Sequence, residues 1–518
     1  MKKTILGAAL STALAAASQA GDLASRWVYI SDLLVKENCV GEVSNVVATA
    51  KAGGMNGVVL GCGLDSYRTW PKVRKTWLES IRRLCDAEGM ELIPIIWPLG
   101  HSGMQSYGID YIEGIPVEGV PFRAVGKNAV YDAASAQKIP VDPRTGFQRD
   151  RGYMRLIKKV SLKPHRRYRY SFEFRTKDLS GSKPFQVVAV DARASRVHPK
   201  ESFSVKYQPT QDWTPCEISF NSSESDLYYL YVGFMSGWKT GSIEVRNTEL
   251  AEVAPGNVLN RPGAPCVLRN AASGRRYALG RDYVVPKLKW PMSRQDLPPA
   301  TLALPPGSRI KDGDQLLFDC YAPAVAVGDH VSICLSEPHL YESLADSAAL
   351  IEGALHPKRW MISMDEFRNG GTCAACRARG MTMGQIYADA LTKAFKIIRK
   401  AHPGAEVYTW SDMLDPEHNG VKEYYNCLGS FEDAWKWVPK ELVICCWYNK
   451  KSETSLKFFS SHGFRTLAAA YYDEKPPFAY SRRWRDAVRA TEGATGIMYA
   501  TWRHAYGDLP AFCEMLKE

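Results

Sequence analysis

The sequence predicts an α/β fold, a (β/α)8 barrel of the TIM type interrupted by an inserted antiparallel β-sandwich. Three observations predict it. From Trp27 to about Leu99, short and nearly continuous apolar runs alternate with amphipathic helices. Such runs are strands covered on both faces, as in a parallel sheet. The same alternation returns at about residue 331 and continues to the end of the chain. Between the two stretches lie short runs of alternating apolar and polar residues, divided by Gly, Ser, Asp and Pro. These read as antiparallel strands.

In chain order, residues 1–20 read as an export signal: a basic "MKK", an apolar "TILGAALSTALAAA" and a small-residue "SQA" before Gly21. Localisation in the periplasm or outside the cell follows from that reading. No other stretch is apolar over the eighteen or more residues of a transmembrane anchor. Residues 21–127 read as the first part of the barrel. There "WVYISDLL", "GVVLG" and "MELIPIIWPLG" are strands, and "TWPKVRKTWLESIRRLCDAEG" is a helix with Val73, Trp77, Ile81 and Leu84 on its apolar face. Residues 128–250 read as the sandwich, from runs such as "YRYSFEFRT", "FQVVAVDA" and "YYLYVGFM". Residues 251–325 are strand-like but rich in Pro and Gly, and belong either to the sandwich or to a separate small layer. Residues 326–518 read as the second part of the barrel, with strands in "WMISMDE", "AEVYTWSDM", "ELVICCWY", "FRTLAAAYYDE" and "ATGIMYATW"; "HVSICL" is a further strand whose place in the barrel order stays open.

Composition excludes several function classes. The formal charge of +11 includes Lys2 and Lys3 of the signal, and the remaining basic residues are scattered without a Lys/Arg block. They describe a solvated face rather than a nucleic-acid surface. Thirteen cysteines at irregular spacing are not a disulfide framework. No phosphate-binding or nucleotide fingerprint is present, so no cofactor is expected. Oligomeric state is not legible.

The later strands end in residues that a purely structural strand does not need: Asp365 and Glu366; Trp410 and Asp412; Trp447 and Tyr448; Tyr471, Tyr472, Asp473 and Glu474; Trp502, Arg503 and His504. In a parallel barrel the C-terminal strand ends face one mouth, so these clusters are expected to gather there. Carboxylates move protons and grip hydroxyls, and flat aromatic rings cover the apolar face of a pyranose. A glycan or oligosaccharide is therefore the expected partner. Neighbouring residues of an extended strand point to opposite sides, so Asp365 and Glu366 share a pocket only if the strand ends or twists there.

The Asp-Glu pair at a strand end, the helix after it and then "YTWSDM" resemble family 20 glycoside hydrolases, the β-N-acetylhexosaminidases, over roughly residues 355–505. The resemblance implies retaining, substrate-assisted hydrolysis of terminal N-acetylglucosamine or N-acetylgalactosamine. Glu366 would be the general acid/base, with a pKa raised by desolvation and its acidic neighbour. Asp365 would orient the 2-acetamido group, whose oxygen attacks the anomeric carbon. Trp410, Trp447 and Trp502 would wall the sugar, and Tyr471 or Tyr472 would bond the acetamido carbonyl. The family stretch His-x-Gly-Gly-Asp-Glu is here Met361, Ile362, Ser363, Met364, Asp365, Glu366. The family's hydroxyl-gripping Arg has no counterpart at the end of the first strand, and Arg503 or Asp508 would replace it.

Two other readings stay open. Glu474 as nucleophile with Glu366 as acid/base makes a conventional retaining pair. Alternatively, the chain binds carbohydrate without cleaving it, through Tyr168, Tyr170, Tyr228, Tyr229 or Trp238 of the insert. Cys373 and Cys376 form a lone Cys-x-x-Cys. With no second pair and no His partner nearby in sequence, they read as a loop disulfide or two thiols rather than a metal site.

Overall fold

The computed structural model describes residues 23–100, 111–141, 147–150, 153–193, 199–290, 292, 297–327 and 330–518. The export signal read over residues 1–20 lies outside them. Among the described residues no helix is long and apolar enough to cross a membrane.

Eight parallel strands close into a barrel, consecutive in sequence and in space: β1 (Ser25–Ser31), β2 (Gly57–Gly61), β3 (Glu91–Ile96), β4 (Arg359–Ile362), β5 (Glu406–Trp410), β6 (Val443–Cys446), β7 (Arg465–Ala469) and β8 (Ala494–Tyr499). Their central residues, among them Val58, Val59, Trp360, Met361, Val443, Ile444, Ile497 and Met498, are buried, as residues with helices on one side and a filled barrel on the other must be. The helices are α1 (Cys39–Ala52), α2 (Lys72–Ala87), α3 (Pro338–Leu355), α4 (Ala374–Arg377), α5 (Met383–Ala401), α6 (Ser452–Ser461), α7 (Ala479–Ala490) and α8 (Leu509–Lys517).

"HVSICL" is not a barrel strand. Only His330–Val331 is extended there, and it pairs antiparallel with Val325–Val327. The apolar face of α2 is also rotated from the one read in the sequence. Leu78, Ile81 and Cys85 are buried, whereas Val73 is 50% exposed. Two stripes of helical spacing overlap at Ile81, and packing selects the one that starts at Leu78.

The chain divides into two compact units, one of Met1–Cys62, Thr76–Ile93 and Lys440–Glu518, the other of Gly63–Lys75 and Pro94–Pro439. In the first unit β1 and β8 meet in parallel register, with Ser25 opposite Gly496 and Trp27 opposite Met498. Gly496 has a φ of 154°, and a Cβ there would lie 1.9 Å from the Ser25 carbonyl oxygen. Only glycine allows the two backbones this approach.

The second unit carries the insert, with three larger antiparallel sheets among the described residues. A five-stranded sheet runs Pro199–Ser204, Phe185–Asp191, Leu227–Phe234, Tyr153–Ser161, Phe147–Asp150, and a four-stranded sheet runs Gln211–Asn221, Arg167–Gly181, Trp238–Glu252, Lys138–Ile139. Along the first half of Arg167–Gly181 the buried residues are Tyr168, Tyr170, Phe172 and Phe174, a period of two. They join Leu230, Val232 and Phe234 in one core. The third sheet has six strands, in the order Arg276–Tyr277, Val267–Asn270, Gln315–Pro323, Gly114–Val125, Asn128–Tyr131, Leu302–Ala303. It has its own core around Val117, Phe122, Leu268, Leu316 and Phe318. Strand Gly114–Val125 falls within the span read as barrel, yet its partners are Gln315–Pro323 and Asn128–Tyr131.

Gly496→Ala is expected to cost about 1–3 kcal/mol, because the added methyl must push β1 away from β8. Chemical denaturation of the full chain measures the loss, and an unchanged midpoint would remove this contact from the barrel seam.

Candidate functional site

In the second unit β4 stops at Ile362, three residues before Asp365. The chain continues without strand pairing, and Glu366 adopts a left-handed backbone with φ of 47°. That turn breaks the alternation which would otherwise send Asp365 and Glu366 to opposite faces. Its supports are specific. The Glu366 amide donates to Asp412 Oδ2 at 2.8 Å, and Asn419 Nδ2 donates to the same oxygen at 2.9 Å. The Ser363 hydroxyl donates to Asp365 Oδ1 at 3.0 Å, and Arg368 Nη2 donates to Glu366 Oε2 at 2.7 Å. The Arg368 guanidinium lies 4.8 Å from the centre of the Tyr425 ring. Tyr387 donates from its hydroxyl to the Met364 carbonyl at 2.8 Å. A Cβ on Gly100 would lie 1.7 Å from the Asp365 carbonyl oxygen, so the segment after β3 fits closely beneath the acidic turn.

The electrostatics follow from crowding. Three carboxyl groups share one turn with one guanidinium. Asp412 is fully buried, and burial pushes its carboxyl up to about 8, with the charge of Asp365 adding to the rise. Its Oδ1 has no hydrogen-bond partner among the described residues. Burial likewise raises the Asp365 carboxyl. Asp412 thus orients the Glu366 amide from a place where burial favours the protonated acid. Trp410, on β5, is also buried.

In the first unit the ends of β6, β7 and β8 carry an aromatic group. The Trp447 and Tyr472 rings are stacked, with centres 5.8 Å apart and planes 14° apart. Tyr472 meets Trp502 edge-on at 6.2 Å, and Trp502 lies 5.3 Å from Tyr29. Tyr472 is 41% exposed and Trp502 42%, so a face of this group is open to solvent. Tyr448 is half-buried and Arg503 is exposed. Tyr471, Tyr472 and Asp473 are consecutive left-handed residues with φ of 34°, 48° and 56°. Asp473 accepts from Thr501 Oγ1 at 2.5 Å and from the Trp502 amide at 3.1 Å, which ties this turn to the Trp502 loop.

Tyr471 and Tyr472 differ in kind. Tyr471 is buried, stacked 4.0 Å from Tyr499, and donates to Asp508 Oδ2 at 2.6 Å. Tyr472 presents the open ring. Glu474 accepts from the Tyr480 amide at 2.6 Å, the Ser481 amide at 3.0 Å and the Ser481 hydroxyl at 2.9 Å. It thus satisfies the orphan donors at the start of α7, the work of a helix cap. In the insert, Tyr168, Tyr170 and Tyr228 are core residues with no exposed face to offer a sugar. Sequence reasoning missed Arg368, Asn419 and Gly100. None of them carries a local signal, because their partners are distant in the chain or lie across a turn of unforeseen shape.

Cys373 and Cys376 are thiols without a disulfide, one of the two readings given to them, and they meet Cys334 and Glu113 in one buried cluster.

The Asp412 carboxyl holds its proton up to about pH 8 when folded, against an ordinary value of 3.8. Between those values unfolding releases a proton, so its contribution to stability falls as pH rises through the window and levels off above it. Asp412→Asn is expected to flatten that slope. Urea midpoints of both proteins across the window test this, and identical slopes would show that Asp412 does not hold the proton.

No protein-family model matches the chain, and no curated protein matches it. Among solved structures it resembles the chitobiase of Flavobacterium johnsoniae, with TM-score 0.39 and 9% identity over 97% of this chain and 48% of that one. A glycoside hydrolase family 20 β-N-acetylglucosaminidase gives TM-score 0.36 and 9% identity over 96% and 70% of the two chains. The rhamnosidase of Novosphingobium sp. PP1Y gives TM-score 0.34 and 10% identity over 93% and 55%. The chain thus spans about half the length of the chitobiase and of the rhamnosidase. The likeness is remote in each case, and the barrel stands on its own strand pairing.

Proposed function

We propose that this protein is a glycoside hydrolase acting on terminal 2-acetamido sugars, with Glu366 as general acid/base and Asp365 as the residue that orients the acetamido group. The observation that carries the reading is the left-handed turn after β4. It sets two carboxylates side by side at a strand end and fixes them through the Asp412 bond to the Glu366 amide. Cleavage needs a carboxylic acid to protonate the leaving oxygen and a group to stabilise the oxocarbenium-like carbon. Glu366 supplies the proton. The substrate's acetamido oxygen closes on the anomeric carbon as the glycosidic bond breaks, and Asp365 accepts the hydrogen bond from the acetamido nitrogen. Glu366 then takes a proton from the water that opens the cyclic intermediate.

The caps on Glu474 support a nucleophile drawn from the substrate rather than from the protein, because three donors already occupy that carboxylate. The open faces of Tyr472 and Trp502 support a carbohydrate ligand, since flat rings cover the apolar face of a pyranose. Their role is binding.

Glu366→Gln is expected to lower kcat/KM on an aryl β-N-acetylglucosaminide or -galactosaminide roughly 10²- to 10⁴-fold while leaving the thermal midpoint in place. The matching glycosides with a plain 2-hydroxyl should resist the native enzyme. Equal turnover of the two sugar classes would overturn substrate assistance, and full activity of the glutamine variant would remove Glu366 from the reaction. Trp502→Ala is expected to weaken binding of a soluble N-acetylglucosamine oligomer roughly tenfold in titration calorimetry, as loss of a stacking face does. Unaltered affinity would take the aromatic group out of carbohydrate binding.

A further inference from the structure

We propose that Glu113, Cys334, Cys373 and Cys376 hold one structural Zn2+ that ties both ends of the insert to the loop following Asp365 and Glu366. One carboxylate oxygen and three sulfurs lie within 4.8 Å of one another, and all four residues are buried. Cys334 Sγ is 3.3 Å from Cys373 Sγ and 3.5 Å from Cys376 Sγ, and Cys376 Sγ is 3.5 Å from Glu113 Oε2. A zinc ion with Zn–S of about 2.3 Å sets tetrahedral sulfurs about 3.8 Å apart, so the thiols need move only by tenths of an ångström to bind it. Thiolate-rich tetrahedral sets select zinc among the common divalent cations.

The surroundings are those of a ligand set rather than a chance grouping. Glu113 Oε1 accepts from the Cys373 amide at 2.7 Å, the Thr372 amide at 3.2 Å and the Thr372 hydroxyl at 3.0 Å. Those donors turn the second oxygen, Oε2, towards the sulfurs, as outer partners orient a metal-bound carboxylate. The buried Arg261 guanidinium also faces the cluster, held by Glu337 and donating to the Ile112 carbonyl at 2.8 Å. Three thiols and a carboxyl enclosed together offer more ligand atoms than one guanidinium, itself paired with Glu337, can satisfy; an ion resolves this. A disulfide does not, because two sulfurs would pair and the third thiol would stay beside the acid.

The placement says what the ion does. Glu113 directly precedes the first strand of the six-stranded sheet, and Cys334 lies just beyond the last paired residues of the insert. The two chain ends are already joined there, by Glu113 N to Ser332 O at 2.8 Å and Cys334 N to Tyr111 O at 2.7 Å. Cys373 and Cys376 sit seven and ten residues beyond Glu366, around the start of α4. Asn369 bonds the Ser332 hydroxyl at 3.1 Å and the Val325 carbonyl at 3.0 Å, so the loop is docked on the same junction. A cation at this point closes a very long loop of chain, where a crosslink restricts the unfolded state most.

The test uses the full chain purified without chelator. Elemental analysis is expected to find about one zinc per chain, lost in Cys373→Ser/Cys376→Ser, and Glu113→Gln is expected to weaken zinc binding roughly tenfold or more. Exchange of the native protein into Co2+ should give intense visible bands of a tetrahedral thiolate site, a readout that needs no variant to fold. A native protein that takes up neither metal overturns the proposal. So does zinc retained by the double cysteine variant, unchanged affinity in Glu113→Gln, or a disulfide among these three cysteines in peptide mass spectra.

Discussion

The bond from the Glu366 amide to the buried Asp412 carboxyl holds together everything on the acidic side of the barrel. A non-glycine residue in the left-handed region costs about 1–3 kcal/mol and persists only where its surroundings over-determine it. Here the surroundings are a buried acid on the neighbouring strand end, the Asn419 amide that fixes that acid, and Gly100 pressed against the Asp365 carbonyl. An ionised Asp412 would add a third charge beside Asp365 and Glu366. Burial favours its protonated form and so spares the turn that charge, while the Arg368 guanidinium pairs with Glu366.

The aromatic group of the first unit rests on a related device. Tyr471, Tyr472 and Asp473 form an unbroken left-handed run, and Asp473 holds it by accepting from the Thr501 hydroxyl and the Trp502 amide. One buried tyrosine anchors the run and the next is turned outward. Strain in both units thus falls at the C-terminal ends of barrel strands, where a regular strand would have gone on putting side chains on alternate faces.

Much of the fold was legible because period and burial are local properties. The Tyr168, Tyr170, Phe172, Phe174 alternation announces a half-buried strand, and Val443–Cys446 announces one buried on both faces. The errors arose where two patterns overlapped or where pairing is a long-range choice. Val73 shares helical spacing with Ile81 but loses the buried face to Leu78, and "HVSICL" is apolar enough for a barrel strand but lies at the exit of the insert. At the site, Asp365 and Glu366 stood out as acids after an apolar run. Of their supports, Asp412 stood out only as an acid at the next strand end and Asn419 not at all, because both reach the turn only through the folded chain.

The sequence by itself determined the apolar runs that supply the barrel strands, the presence of an antiparallel insert and the residue types at the strand ends, since each follows from side chains within one window. Tertiary structure alone decided which carboxyl groups are supports: Asp412 is taken out of water and tied to a backbone amide, while Glu474 is consumed as a cap. It also decided the fate of the lone Cys-x-x-Cys. Cys334 and Glu113 come from 39 and 260 residues before Cys373, and only the return of the chain from its insert brings their ligand atoms within reach of the two thiols.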